Sequence, residues 1–245
     1  VRFIVSQSDG DARTALNNLE AVASMVRSLP QEERVLTLQT AEDALVKKAL
    51  LYDKDGEEHY NLISAFHKSL RGSDADAALY WLGRMLLAGE DPMYILRRMV
   101  RFASEDVGLA DPQALAVTMA AQQAFHFIGL PEGELALAQA AVYLATAPKS
   151  NALYAGYGRT KDLITKTGYL PVPLHIRNAP TKLMKELDYG KDYKYAHDYA
   201  DAFVAQEYFP DKLAGRILYE PGGAGYEKTI AERVNTFRKR KKDAL

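Results

Sequence analysis

From His59 to Pro148 the chain repeats one device: a helix-start signal, a run of apolar residues spaced three and four apart, and a break. Tyr60 to Leu70 places Leu62, Ile63, Phe66 and Leu70 on one face. Ser73 and Asp74 open a helix through Leu79, Leu82, Met85 and Leu86, and Asp91-Pro92 opens the next. Proline in a first turn costs nothing, because the amide it lacks would have no helical partner. Asp111-Pro112 repeats the device, and Pro131 opens a helix through Leu135, Ala138, Ala141, Val142 and Leu144 that Pro148 ends. A helical period sustained over these segments predicts an all-α chain built of stacked antiparallel hairpins.

The flanks are less regular. Ser8-Asp9-Gly10-Asp11 reads as a helix start, with Ala12, Ala15, Leu16, Leu19, Ala23 and Val26 following at helical spacing. Pro30 breaks that pattern; Val35 to Leu38 is β-prone, and Thr40 can cap a helix over 41–50. The polar, turn-rich Tyr52 to Gly56 sets the expected domain boundary, giving domains 1–55 and 56–245. Val172 to Pro180, with two prolines beside Val172, Leu174 and Ile176, predicts an extended, packed connection. A helix is expected from Thr181 to Leu187, stopping at Gly190. Tyr189, Tyr193, Tyr195 and Tyr199 read as a packed cluster with hydroxyls at its rim, or as a recognition surface. The run Arg238 to Lys242 reads as a solvated tail or one that grazes DNA.

Composition removes several classes of function. The 245 residues include no cysteine, so disulfides, thiolate catalysis and cysteine-based zinc sites are excluded, and a reducing, intracellular compartment fits. The five histidines show no metal-ligand spacing, so no metal is expected, and no nucleophile elbow is present. A formal net charge of -1 leaves any nucleic-acid binding to a local patch. No apolar run approaches the roughly 20 residues that span a bilayer, and no membrane partner is expected. Val1 to Ser8 does not read as a signal peptide and lacks an initiating methionine, so the sequence is expected to begin inside a longer protein.

Three constellations can carry chemistry. On a helix starting near Asp9, Arg13 projects opposite the apolar stripe; it is either a solvated surface residue or a guanidinium that reaches a triphosphate held by a neighbouring domain. Arg97, Arg98 and Arg101 lie at helical spacing with Glu105 four residues beyond Arg101, which suits an intrahelical ion pair, a subunit interface or phosphate contact. Arg159, Lys161, Lys166, His175, Arg177, Lys182 and Lys185, with Tyr154, Tyr157 and Tyr169 interleaved, form either a DNA contact or a solvated face balanced by Asp162, Glu186 and Asp188.

Gly10 to Asn17 resembles the sensor-2 helix of AAA+ clamp-loader-type ATPases. Four further stretches, Tyr60 to Ser73, Ala103 to Gly108, Ala147 to Asn151 and His175 to Lys185, resemble in sequence and order the replication-associated recombination protein A family (RarA, MgsA), related to Werner-helicase-interacting protein. The resemblance implies a partial AAA+ lid followed by a larger, clamp-loader-collar-like helical domain that forms homotetramers. It implies an ATPase acting at stalled replication forks, in the cytoplasm and nucleoid or in a eukaryotic nucleus. Partners implied are DNA ends or single-stranded DNA and single-stranded-DNA-binding protein. Arg13 then matches the sensor-2 arginine that contacts nucleotide, with Gly10 and Asp11 beside it. The sequence departs from the full family pattern in lacking a Gly-x-x-x-x-Gly-Lys-Ser/Thr loop and an acidic strand end for magnesium. ATP and magnesium are therefore expected in a longer parent, and this chain is expected neither to bind ATP tightly nor to hydrolyse it.

Two functions follow. One is a scaffold that assembles an AAA+ ATPase and helps place it on DNA. The other is a helical module that docks a peptide of a replication partner, for which the resemblance implies the acidic, apolar tail of single-stranded-DNA-binding protein.

Overall fold

A computed structural model describes residues 2–7, 12–50 and 57–244. No strand occurs among them, so the all-α expectation is met. Eleven helices are described: α1 (Arg2–Ser6), α2 (Ala12–Ser28), α3 (Leu38–Leu50), α4 (Glu57–Arg71), α5 (Ala75–Leu87), α6 (Pro92–Phe102), α7 (Gln113–Ile128), α8 (Glu134–Thr146), α9 (Ala152–Thr167), α10 (Lys182–Glu186) and α11 (Glu227–Ala244). Among the described residues no helix is long and apolar enough to cross a membrane. The boundary expected at residues 52–56 lies outside the described residues. The chain divides into two compact units, residues 1–100 with 118–146, and residues 101–117 with 147–245.

In the first unit, α1 to α3 close a small core of Ile4, Val22, Ala41 and Ala44, with Phe3, Met25 and Leu45 against it. The segment expected to favour a strand instead runs into α3, which starts at Leu38. Thr37 caps it: its hydroxyl accepts from the Thr40 amide at 3.1 Å. Helices α4, α5 and α8 pack on one another; most of the apolar positions read from the sequence join their core, with Leu137 in addition, but Leu79 and Leu135 are exposed. Phe66, Leu70, Met85, Leu137 and Leu144 are fully buried, and Leu82 nearly so.

The helix starts are local chemistry. Asp74 accepts from the Ala77 amide at 2.8 Å, Asp91 from Met93 at 2.9 Å and Asp111 from Gln113 at 3.0 Å. Each carboxylate satisfies an amide that the helix itself leaves unpaired. Pro131 sits in the turn ahead of α8, which begins at Glu134.

In the second unit, regular helix is confined to the start of α7 and to α9, α10 and α11. Apart from α10, residues 168–226 run through short turns rather than regular helix. The packed extended connection at Val172 to Pro180 is corrected. Leu174–Ile176 is a 3-10 turn, and Val172 and Leu174 are about half exposed. The alternation carried no buried face because the prolines and the turn rotate successive side chains out of register. The helix after Thr181 does form, capped by the Thr181 hydroxyl accepting from the Met184 amide at 3.3 Å.

Candidate functional site

The second unit is organised around one carboxylate. Glu227, in the first turn of α11, is wholly buried. It accepts from the Gly222 amide at 2.8 Å, from the Tyr219 hydroxyl at 2.9 Å and from the Ser150 hydroxyl. Three donors, together with the positive end of the helix, replace the water it loses. A Cβ at Gly222 would meet Glu227 Oε2 at 2.5 Å and Ser150 Oγ at 3.0 Å, so only glycine lets the backbone come this close. Burial, then the bond to Glu227, pushes the Tyr219 phenol up to about 12.

The same loop is held from the other side. Ala103–Val107 winds as a π-helical segment, and the Gly108 amide donates back to the Ala103 carbonyl. This wide turn leaves the Asp106 carbonyl to accept from the Ser150 amide at 2.7 Å. Lys149, next to Ser150, has its pKa lowered by burial, against the opposing charge of Asp106. At Gly225, with φ of +51°, the chain turns so that the Tyr226 amide reaches the Ala110 carbonyl at 2.7 Å; a Cβ there would collide with that carbonyl. Two stretches quoted above as carrying the resemblance, 103–108 and 147–151, thus meet, and they anchor the start of α11.

The residues singled out in the sequence fall in several places. Gly10 and Asp11, and the side chain of Arg13, lie outside the described residues. Arg97, on α6, pairs with Asp91 at 3.4 Å. The Nε of Arg98 is buried without a hydrogen-bond partner among the described residues. Arg101 Nε donates to Glu105 Oε2 at 2.6 Å, forming the intrahelical pair across the start of the π-helical segment. On α9, Arg159 donates twice to the Leu218 carbonyl, at 3.0 and 2.7 Å, and so clamps the 218–222 loop. Lys161 lies over the exposed Tyr157 ring at 5.3 Å, with Tyr154 exposed one turn before it. Lys166 is exposed near the end of α9. Arg177 donates to the Val172 carbonyl at 2.6 Å and stacks on Tyr189 at 4.9 Å. Lys182 faces Glu186 at 3.9 Å, and Lys185 is exposed on α10. The run of cations is thereby divided between three elements, and two of its arginines hold backbone carbonyls.

The tyrosine cluster is not a packed core: Tyr193, Tyr195 and Tyr199 are each about half exposed. They sit on separate short turns, so no single face gathers the rings. Sequence reasoning missed Glu227, Tyr219 and Gly222. Their one signal was a lone glutamate following a glycine-rich loop, which reads as an ordinary acidic helix start.

With this geometry in place, comparison with known proteins gives a consistent result. Residues 72–238 match the family described as MgsA AAA+ ATPase C terminal, and residues 1–71 match that described as AAA C-terminal domain. The chain is 50% identical over 244 residues to replication-associated recombination protein A of Coxiella burnetii, covering 97% of this chain and 54% of that protein. It is 48% identical to the protein of the same description from Escherichia coli K12, covering 95% and 52%. It is 44% identical to ATPase WRNIP1 of Dictyostelium discoideum, covering 90% and 27%. The chain thus spans about half the length of the bacterial relatives it matches.

Proposed function

Because the chain belongs to the MgsA AAA+ ATPase C-terminal family, we propose that it is the assembly and lid part of an AAA+ ATPase that acts inside the cell in replication-fork maintenance, recombination and repair. In this reading identical copies associate into a homotetramer that sets the spacing of motor domains. Nucleotide chemistry, with ATP and magnesium, belongs to a longer parent. This chain contributes Arg13 as a sensor-2 contact and has no hydrolytic activity of its own.

One observation carries the assembly reading. Around the turn between α7 and α8, Phe127 is 90% exposed, Leu135 77% and Leu130 57%. Large apolar side chains grouped in this way on a soluble surface are usually covered by a partner, and identical copies in a closed symmetric set are the common solution. Sedimentation equilibrium tests the reading. A mass of four chains at micromolar concentration is expected, and a strictly monomeric chain overturns it.

A second reading, in which the chain docks DNA ends, single-stranded DNA or single-stranded-DNA-binding protein, is favoured by the aromatic and cationic face of α9. Tyr154, Tyr157 and Lys161 offer rings for stacking and a cation for phosphate. Lys166, Lys182 and Lys185 add exposed charge. Binding of oligothymidylate that weakens with salt, and is lost in Tyr157→Ala/Lys161→Glu, is expected. No binding at low salt sinks this reading.

A further inference from the structure

Helix α11 is docked without a buried apolar side chain: from Glu227 to Ala244, Glu227 alone is buried. A helix of that kind is held by polar contacts, and these gather at its two ends. At the start, Glu227 takes the three donors described above, and the Tyr226 amide reaches the Ala110 carbonyl. At the end, cations of the run Arg238 to Lys242 meet turns that precede the helix. Arg238 donates to the Tyr219 carbonyl at 2.6 Å. Arg240 pairs with Asp201 at 3.3 Å and lies over the Phe203 ring at 4.4 Å, and Lys241 pairs with Glu207 at 3.0 Å. Phe237 stacks on Phe203 at 5.5 Å yet stays about half exposed.

The two ends differ in kind. Burial shields the Glu227 bonds from salt. The ion pairs at the other end are wet: the Asp201 side chain is 75% exposed and that of Arg240 38%, so added salt screens them. Without those pairs the five adjacent cations repel one another, Arg238 and Lys242 most directly, one turn apart. The turn they grip is strained as well. Asp201 and Ala202 have φ of +57° and +49°, a left-handed conformation that residues other than glycine enter at a cost. Such strain persists only where surrounding contacts hold it, and here these are the Arg240 ion pair and the ring of Phe203 under Phe237 and Arg240.

We propose that the last turns of α11 form an electrostatic clasp on residues 201–207, which opens without undoing the anchored start of the helix. Closed, it sets Arg240 and Lys241 against the chain's own carboxylates and covers Phe203. Open, it presents these cations and both phenylalanine rings to solvent. The basic run is thus a gated surface rather than a permanently solvated tail. The inference concerns α11 and the turns it grips, and it does not depend on the assembly or docking readings above.

Hydrogen–deuterium exchange of the full chain, resolved into peptides covering 200–209, 219–230 and 234–244, tests it. Exchange at low salt is compared with that in about 1 M sodium chloride, where the screening length falls to about 3 Å. Peptides 200–209 and 234–244 are expected to exchange faster on the order of tenfold, the effect of losing two exposed ion pairs, while 219–230 stays protected. Arg240→Gln/Lys241→Gln should show the fast exchange already at low salt and lose the salt response. Asp201→Asn/Glu207→Gln should reproduce that result from the other side of the pairs, since Asn tolerates the left-handed turn and Gln keeps an acceptor for the Tyr208 and Phe209 amides. Joining all four substitutions should add nothing further, because either pair of changes already removes the same contacts. No salt response, an equal response along the whole of α11 with 219–230, or variants that exchange like the parent overturns the proposal. So does a quadruple variant whose effect is the sum of the two doubles.

Discussion

Glu227 is buried without an ion pair among the described residues, and its charge is met by three donors and a helix terminus. Removing it strands all three donors at once. Glu227→Ala is expected to cost on the order of 3 kcal/mol, because each buried group left unsatisfied carries its own desolvation penalty. Ser150→Ala, which removes one donor and leaves two, is expected to cost about 1 kcal/mol. Urea unfolding followed by circular dichroism measures both, and equal costs would show that the three donors do not act through the carboxylate. Tyr219 adds a pH signature. Its phenol is raised from 10.0 to about 12, so the neutral form is favoured in the folded chain. The stability this provides is complete below pH 10.0 and is lost as pH rises towards about 12. Tyr219→Phe should therefore be less stable than the parent at pH 7, with the difference shrinking above pH 10.

At the scale of elements, the sequence was most legible where capping and period agreed. Asp74, Asp91 and Asp111 start helices by the side-chain bonds their positions predict. Leu62, Phe66, Leu70, Leu82 and Met85 are buried as their spacing requires. Asp74→Ala is expected to cost about 1 kcal/mol, and Leu82→Ala about 2–5 kcal/mol through the cavity it leaves; thermal unfolding ranks the two. Legibility fell where structure depends on distant partners. The π-helical turn at 103–107 is stabilised by what Asp106 meets at Ser150, and no local pattern announces that. Arg159 and Arg177 counted as available cations in the sequence because a backbone carbonyl that binds them, Leu218 or Val172, has no side-chain signature. The tyrosines between 189 and 199 read as a packed cluster or a recognition surface, but the backbone under them is a series of separate short turns, and Tyr193, Tyr195 and Tyr199 are about half exposed.

At the scale of the whole molecule, stability and assembly should be separable by mutation. Phe127 and Leu135 are largely exposed, so they add little to the folding of a single chain. Covered by a sister copy, each would gain about 2 kcal/mol from lost apolar hydration. Phe127→Ser/Leu135→Ser should then weaken each contact by about 4 kcal/mol, close to a thousandfold, since about 1.4 kcal/mol is a factor of ten. If copies meet at this turn, sedimentation equilibrium should show the variant at a lower mass than the parent at micromolar concentration, while the urea midpoint of a dissociated sample stays within error of the parent. Leu82→Ala should do the opposite, lowering the midpoint without a specific loss of mass. If the double serine variant keeps the parent's mass, the α7–α8 turn is not where copies meet. A parallel loss of mass and midpoint would mean instead that these side chains support the fold of the single chain and not a separate assembly face.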